Sequence, residues 1–418
     1  MQKRPDKISS SDFPKLLLIS ELSLSKSSEG RSANPTLYNL FKTYPPESLL
    51  QLVPNNTLKL SPPVAPHQNV VSYSDSFFPL IRNRIGLTLN RYFIFLNLSI
   101  LNLLNLSHRE KIEEFSPDLL LLCPITLSSL IVGWKMANKL KIPFLIYFMD
   151  DWIAVDQSLW IGGDTQSLAS YLLQESKGWI MISDYMQEDI SQRLGINGKP
   201  YIVAHNPVEP LTLGPNNKES TREKFRIAYA GSIQTMHSDA LLLVAEATHY
   251  LRKEGIDIEL VIYTASSFWE NHQESLIKFE VQYGSLLPYD ELLSKLSEFD
   301  LLLVCTSFSP HVKHVVRSSL LTKLTDYMAT GRPILSCGPS YSACNRFLEK
   351  WNCGVVCDHN SILEIKKVLK KCIYETEVLL NMADKASTVL KENFSGAVVT
   401  KRLHEFIIQV DACTKSDL

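Results

Sequence analysis

The chain has 418 residues, of which 45% are hydrophobic and 21% are charged, and its formal net charge is −2. This length exceeds that of one typical hydrophobic core and suits two domains. The balanced charge gives no indication of a nucleic-acid partner. Several of the eight cysteines lie inside apolar runs, as is typical of small buried side chains in a reducing compartment. With no signal-peptide pattern and no apolar run of about 20 residues, the sequence predicts a cytoplasmic protein.

The N-terminal half begins with a polar segment, 1–14, which we expect to be a disordered tail. The apolar run 15–20 predicts the first strand of a parallel sheet, buried on both faces. A helix is predicted at 36–43, and the Pro-, Asn- and Ser-rich segment 44–75 shows no clear element. After it, apolar runs alternate with helical patterns. The predicted strands are 119–123, 144–148, 179–182 and 201–204, and the predicted helices are 127–140, 165–175 and 184–194.

A second series follows the segment 205–224, which carries three prolines and no periodicity and therefore predicts a linker. Each step of about 25–30 residues joins a strand to a helix, which implies right-handed crossovers and a doubly wound sheet. The tail, 361–412, is predicted to be helical. The predicted strands are 226–230, 258–263, 281–283, 301–305, 334–336 and 355–357, and the predicted helices are 239–253, 269–279, 289–298, 319–330 and 342–351.

The sequence therefore predicts an α/β protein with two Rossmann-like domains. The first domain covers 15–208 and the second covers 209–390. A C-terminal helix is predicted at 391–418, and one option is that this helix crosses back to the first domain. Two such domains in tandem are expected to face each other across a cleft, because open α/β sheets bind ligands at the carboxyl ends of their strands.

The segment Ser318 to Ser336 combines a predicted helix start with charged residues. Backbone N–H groups at a helix start, here Ser318, Ser319 and Leu320, suit a diphosphate. Asp326 follows about two turns into this helix, where a carboxylate can accept hydrogen bonds from both hydroxyls of a ribose. Gly331-Arg332-Pro333 ends the helix.

The run Asp326-Tyr-Met-Ala-Thr-Gly-Arg-Pro333 resembles the second half of the donor-site signature of family-four glycosyltransferases, with Asp in place of Glu. Lys323 matches a lysine that many members carry three residues upstream. The first glutamate of the signature falls on Ser318, so this half of the motif is missing. The resemblance implies the GT-B fold, a nucleotide-sugar donor in the second domain, and retention of configuration at the anomeric carbon.

Other segments resemble the same family in the expected order. Gly231-Ser232 resembles the loop that faces the donor diphosphate, and Gly284 follows the strand that precedes the pocket for the nucleotide base. Gly30-Arg31 occupies the place of the first glycine-bearing loop of the acceptor domain. These residues are therefore predicted to bind donor or acceptor.

The family usually carries an arginine and a lysine shortly after the glycine of the donor loop. Neither is present between Ser232 and Leu251. Lys323, Arg317 and Lys313 are the alternatives for the missing positive charge, and Lys323 is the one we predict to be catalytic.

Asp150 and Asp151 directly follow the predicted strand 144–148, so their carboxylates are expected at the carboxyl end of that strand. We predict a catalytic role for this pair toward donor or acceptor hydroxyls, with a solvated loop as the alternative. GT-B enzymes typically need no metal, and the sequence shows no cluster of metal ligands. No cofactor is predicted beyond the nucleotide-sugar substrate.

Segment 82–107 carries arginines ahead of an apolar helical face. One interpretation is a core helix of the acceptor domain. The other is a helix lying on the inner face of a membrane, where it would serve a lipid-linked acceptor. The arginines are Arg82, Arg84 and Arg91, and the apolar residues are Phe93, Leu96, Ile100, Leu103 and Leu104.

Together these patterns predict a transferase that moves a hexosyl or related sugar from a nucleotide-sugar to a polysaccharide or glycolipid intermediate. Two alternatives stay open. A nucleotide-sugar epimerase would need acids and a histidine around a sugar ring carbon. A catalytically degenerate GT-B subunit, acting as a binding partner, is favoured by the missing first glutamate.

Overall fold

A computed structural model describes residues 12–25, 34–60, 62–64, 66–67, 69–73, 106–155, 159–160, 163–211 and 224–416. The predicted loop Gly30-Arg31 and all but the last two residues of segment 82–107 lie outside the described residues. The chain divides into two compact units. Unit 1 comprises Met1–Pro207 and Val399–Leu418, and unit 2 comprises Val208–Val398.

Unit 1 is built on a seven-stranded sheet of parallel strands in the order β3-β2-β1-β4-β5-β8-β9. β1, β4 and β5 are buried at every residue, as expected for a sheet covered on both faces. The strands are β1 (Leu16–Ser20), β2 (Leu49–Pro54), β3 (Val70–Tyr73), β4 (Leu119–Cys123), β5 (Phe144–Phe148), β8 (Gly178–Met181) and β9 (Tyr201–Val203). A small antiparallel pair, β6 (Leu159–Trp160) and β7 (Gly163–Asp164), lies between β5 and β8 in the chain.

The helices of unit 1 surround this sheet, and all of them except α2 contribute buried side chains to two apolar clusters. They are α1 (Asn34–Phe41), α2 (Asn55–Leu60), α3 (Leu106–Phe115), α4 (Leu127–Leu140), α5 (Trp152–Val155), α6 (Thr165–Glu175), α7 (Asp184–Leu194) and α17 (Gly396–Ser416). Side-chain caps set two of the starts: Thr126 accepts a hydrogen bond from Ser129 N, and Ser183 accepts one from Met186 N.

Unit 2 is built on a six-stranded parallel sheet in the order β12-β11-β10-β13-β14-β15. The strands are β10 (Phe225–Ala230), β11 (Ile258–Tyr263), β12 (Gln282–Tyr283), β13 (Leu301–Cys305), β14 (Ile334–Cys337) and β15 (Val355–Cys357). The helices are α8 (Ser238–Lys253), α9 (Ser266–Glu270), α10 (Gln273–Lys278), α11 (Tyr289–Leu296), α12 (Lys313–Ser318), α13 (Thr322–Ala329), α14 (Ala343–Trp351), α15 (Ile362–Tyr374) and α16 (Thr376–Val389).

The predicted α/β architecture with two parallel sheets is confirmed. The observed elements differ from the predicted ones in three segments. Segment 44–75 holds β2, α2 and β3, whose boundaries are marked by the Pro and Asn residues that obscured them. The helix predicted at 269–279 is interrupted, because α9 ends at Glu270 and α10 begins at Gln273. The helix predicted at 319–330 begins only at Thr322.

The last helix, α17, belongs to unit 1 from Val399 onward. Val399, Leu403 and Ile407 recur at helical spacing and are buried in the same cluster as the β1 residues Leu16 and Leu18. The C-terminal segment therefore completes the core of unit 1. No helix in the described part of the chain is both long and apolar enough to cross a membrane.

His404 of α17 lies inside this core, 6% exposed, with its ring edge-on to Phe13 at 5.0 Å and to Tyr44 at 5.5 Å. Its Nε2 atom has no hydrogen-bond partner among the described residues. Burial lowers the pKa of His404 to about 4, so the imidazole is neutral in the folded protein at pH 7.

We expect this histidine to make the protein less stable in acid. The unfolded chain takes up a proton near pH 6.5, whereas folded His404 does so only near pH 4, so stability falls as the pH drops between these values. Between pH 7 and pH 5 the loss from His404 is about 2 kcal/mol.

Urea unfolding at pH 7 and pH 5 measures how much unfolding free energy is lost between these values. The loss in His404→Leu should be smaller than that of the wild type by about 2 kcal/mol. The exposed His359, changed to Leu, is the matched control and should leave the wild-type slope unchanged. A His404→Leu variant with the wild-type slope would show that His404 is not the buried proton-sensitive group.

Candidate functional site

The carboxyl end of β10 turns sharply at Gly231. Its φ of +126° is a backbone conformation that glycine adopts at low cost. Gly231 N donates a hydrogen bond to Tyr263 O at 2.9 Å, which extends the pairing with β11 by one residue. Tyr229 OH donates to Ser232 O at 2.6 Å and fixes the loop that follows. The predicted Gly231-Ser232 loop therefore lies at the carboxyl edge of a central strand pair.

Lys323, in the first turn of α13, reaches this loop. Its Nζ donates to Tyr229 OH at 2.9 Å and lies 4.0 Å from the centroid of the same ring. The Nζ atom is also 3.0 Å from the point where a Cβ on Gly231 would stand. Glycine at 231 therefore serves both the backbone turn and the close approach of the ammonium group.

Burial governs the electrostatics of this region. It lowers the pKa of Lys323 to about 8, while the Asp326 carboxylate opposes the shift. His237 precedes α8, and its Nδ1 donates to Cys305 O at 2.9 Å. Burial, with the Lys323 charge as a second cause, lowers the pKa of His237 to about 3. At neutral pH the site thus holds a neutral imidazole and a partly buried ammonium group.

Asp326 lies three residues after Lys323, so both side chains share one face of α13. Asp326 Oδ1 accepts a hydrogen bond from Tyr289 OH at 2.7 Å. Tyr327 holds the helix against the sheet, because its OH accepts a hydrogen bond from Ala230 N at 2.8 Å. The structure therefore brings the predicted residues Gly231, Lys323 and Asp326 together within unit 2.

The predicted helix start at Ser318, Ser319 and Leu320 needs correction. Ser318 is the last residue of α12, fully buried, and its Oγ donates to His314 O at 2.9 Å. Ser319 is extended, and its N–H donates to Val315 O at 2.8 Å. These residues close one helix before the next begins. By position, the first-turn N–H groups of the motif helix are those of Thr322 and Lys323.

Gly284 directly follows β12, and its position is dictated by packing. A Cβ there would lie 2.6 Å from two ring carbons of Tyr263, so only glycine fits without displacing that ring. Gly284 N donates to Ile262 O at 2.9 Å. The loop then presents Leu286, which is 65% exposed, before Tyr289 opens α11.

Sequence reasoning did not identify a second anchor at this edge. Asp239, in the first turn of α8, accepts hydrogen bonds at its Oδ2 from Ser307 Oγ and Phe308 N, both at 2.9 Å. These contacts fix the loop after β13. Tyr289, Tyr229 and His237 were missed as well. For Asp239, the sequence showed only an acidic residue in the first turn of a predicted helix, which is a common feature without functional specificity.

In unit 1 the predicted pair Asp150-Asp151 divides into two different environments. Asp151 is 0% exposed, its Oδ2 pairs with Arg193 Nη2 at 2.7 Å, and its Oδ1 accepts from Ala154 N at 3.2 Å. Asp150 is exposed, and its Oδ1 accepts from Asp151 N at 2.9 Å. We predicted a catalytic role for Asp151, but its carboxylate is already bound in a buried ion pair and in the cap of a helix. The structure therefore gives Asp151 a structural role.

Glu21 is a further carboxylate that the sequence did not single out. It follows β1, and its Oε1 accepts a hydrogen bond from Thr126 Oγ1, which follows β4, at 2.9 Å. The strand order reverses between β1 and β4, and open α/β sheets bind ligands at such a reversal. Glu21 therefore stands at the position of unit 1 that the topology favours for a ligand.

Within the described ranges, no group of three or more His, Cys, Asp or Glu residues could hold a metal ion. Seven of the eight cysteines are buried and Cys413 is exposed. Burial raises the pKa of the Cys305 and Cys344 thiols, so neither is an activated nucleophile.

No protein-family model matches the chain. No curated protein matches it either. Solved structures match over nearly the whole length of the chain. The structure of the Anabaena protein HepE in complex with UDP matches with a TM-score of 0.66 and 13% sequence identity, and the match covers 94% of this chain and 99% of that one. Sucrose-phosphate synthase from Thermosynechococcus elongatus matches with a TM-score of 0.68 and 11% identity, over 96% and 100%. The lipopolysaccharide outer core galactosyltransferase WaaB matches with 0.59 and 15%, over 96% and 99%.

At these identities the similarity establishes the fold. The chain has the GT-B fold of glycosyltransferases, with two parallel-stranded α/β sheets, as the sequence predicted.

The two aspartates allow a matched test in unit 1. Asp151→Asn removes the nearer of the two carboxylates that pair with Arg193, Asp189 being the other, and should lower the free energy of unfolding by about 2 kcal/mol. Asp150→Asn keeps an acceptor for Asp151 N on an exposed side chain and should change it by less than about 0.5 kcal/mol. Urea unfolding of both variants checks this. Equal stability of the two variants would contradict the structural role of Asp151.

Proposed function

We propose that this chain is a glycosyltransferase that moves a hexosyl or related sugar from a nucleoside-diphosphate sugar to a hydroxyl acceptor. The fold it shares with sucrose-phosphate synthase and WaaB supports the reaction class. Structures of HepE hold UDP, UDP with glucose, and UDP-glucose, which supports a donor of this type. The resemblance of the Asp326 motif to family-four enzymes supports retention at the anomeric carbon.

The observation that carries the proposal is the position of Lys323 against Gly231, with Asp326 on the same helix face. A diphosphate needs a cation and backbone N–H groups, and a ribose needs a hydroxyl acceptor. In unit 2 the cation is Lys323 and the hydroxyl acceptor is Asp326. The backbone N–H groups are those of Ser232 and, in the first turn of α13, Thr322 and Lys323, because Gly231 N already donates to Tyr263 O. Lys323 thereby takes the place of the arginine and lysine that are missing after Gly231.

The chemistry asked of these groups is electrostatic. Breaking the bond between the sugar and the diphosphate places negative charge on the departing nucleotide. A fixed ammonium group stabilises this charge more strongly in a partly buried site than in water. With a pKa of about 8, Lys323 carries its positive charge in most molecules at pH 7. His237 is neutral and holds the neighbouring backbone through Cys305 O.

On the acceptor side, the proposal rests on carboxylates of unit 1. Asp150 is exposed at the carboxyl end of β5, and Glu21 is held by Thr126 at the strand-order reversal. A carboxylate accepts hydrogen bonds from sugar hydroxyls, so both residues suit an acceptor that is a polysaccharide or glycolipid intermediate. Asp151 acts on this reaction only by holding the loop that carries Asp150.

A second candidate is a GT-B subunit that binds a nucleotide or a partner without turnover. One observation favours it: the position of the first signature glutamate is Ser318, whose hydroxyl is turned back onto its own helix. No carboxylate is supplied there. Nucleotide binding without sugar transfer to any acceptor would support this candidate.

The donor site predicts nucleotide-dependent stabilisation of the protein. UDP, GDP, ADP and TDP are each added at increasing concentration, and thermal unfolding is followed. The cognate diphosphate at about 100 times its dissociation constant should stabilise the wild type by about 2.7 kcal/mol. Asp326→Asn should bind it about 10- to 100-fold more weakly, because hydrogen bonds to a charged acceptor are lost.

Asp257→Asn, which changes an exposed aspartate just before the amino end of β11, is the matched control and should bind as the wild type does. If none of the four diphosphates stabilises the wild type, the proposed donor site is wrong. If binding occurs without transfer or donor hydrolysis, the binding-subunit candidate replaces the enzyme.

The pKa of Lys323 predicts how nucleotide affinity changes with pH. The free protein loses the ammonium charge as the pH rises through about 8, so affinity for the diphosphate should fall about 10-fold between pH 7 and pH 9. Lys323→Met should bind weakly with little change over this range. The exposed Lys350, changed to Met, should keep the wild-type profile. Titration calorimetry at three pH values tests this, and a flat wild-type profile would show that Lys323 does not face the diphosphate.

A further inference from the structure

We infer that Tyr289 is a positioning residue that holds the Asp326 carboxylate for recognition of the donor ribose. This inference rests on the proposed function, because it deepens the role of the same donor site. It assigns the phenol of Tyr289 to the selection of nucleotides that carry ribose hydroxyls.

The geometry comes from two helices that pack against each other. Tyr289 is the first residue of α11, which follows Pro288, and Asp326 lies on α13. The phenol O–H donates to Asp326 Oδ1 at 2.7 Å, the distance of a strong hydrogen bond to a charged acceptor. Tyr289 is 43% exposed, so its side chain is not required to fill the core.

The helix that carries Asp326 is itself fixed to the sheet. Tyr327 OH accepts a hydrogen bond from Ala230 N, and Lys323 Nζ donates to Tyr229 OH. The carboxylate of Asp326, by contrast, stands on a partly exposed face, where an aspartate side chain samples several rotamers. The hydrogen bond from Tyr289 favours one of these rotamers before the ligand arrives.

A carboxylate accepts about four hydrogen bonds in total, so the phenol and a ribose can be bound by the same group. Preorganising a ligand-binding group raises affinity by removing the entropic cost of ordering it on binding. The benefit applies only to the part of the ligand that Asp326 contacts. Loss of the phenol hydroxyl should therefore weaken recognition of ribose hydroxyls and leave contacts to the diphosphate and the base unchanged.

The test compares Tyr289→Phe with the wild type by titration calorimetry. The probes are UDP, or the diphosphate that stabilises the protein most, and its 2′,3′-dideoxy analogue. Tyr289→Phe should bind the ribonucleotide about 3- to 10-fold more weakly, the effect of one hydrogen bond. It should bind the dideoxy analogue with wild-type affinity. In the Tyr289→Phe/Asp326→Asn double variant, the tyrosine change should have no further effect.

Tyr250→Phe is the matched control, because Tyr250 is a tyrosine of α8 with a similar exposure of 41%. It should leave the affinity for both probes unchanged. If Tyr289→Phe weakens both probes equally, or binds the ribonucleotide more tightly, the positioning role is wrong. Failure of every nucleoside diphosphate to bind the wild type overturns the proposed function itself, and is recognised by the absence of binding to both probes.

Discussion

Unit 2 of this protein depends on placing one ammonium group at the end of a buried strand. Lys323 Nζ donates to the phenol of Tyr229 and lies 3.0 Å from the point that a Cβ on Gly231 would occupy. Removing a charge from water is costly, so this position needs compensating groups close by. The phenol oxygen, the aromatic face and the Asp326 carboxylate supply them. A side chain at 231 would require the ammonium group to shift and would strain the backbone at φ +126°.

This constraint explains several features that look unrelated in the sequence. Tyr229 is an aromatic residue in a buried strand because its ring and hydroxyl both face the lysine. Tyr327 OH accepts a hydrogen bond from Ala230 N, which holds α13 beside the carboxyl end of β10, where Lys323 lies. Asp326, on the same face, opposes the loss of the lysine charge. The motif thus acts as one electrostatic unit with a fixed geometry.

Much of the fold was predictable because buried parallel strands are short apolar runs and the helices between them carry clear periodicity. The runs 119–123 and 258–263 match the observed strands to the residue. What the sequence could not show was contact between distant segments. Tyr289 contacts Asp326, 37 positions along the chain, only because α11 packs on α13. The burial of Asp151 depended likewise on Arg193, 42 positions along the chain.

The cations Arg193 of unit 1 and Lys323 of unit 2 have different kinds of hydrogen-bond partner. In unit 1, the largely buried Arg193 guanidinium pairs with Asp151 at 2.7 Å and lies 3.5 Å from the Asp189 carboxylate, so its charge is already matched by carboxylates of the protein. In unit 2, the hydrogen bond of Lys323 goes to a neutral phenol, which orients the ammonium without neutralising it. A cation so held keeps its charge for an incoming anion, and its lowered pKa shows that the surrounding protein has not fully compensated it. An anionic ligand would complete that compensation, which is the physical reason to expect a diphosphate at this place.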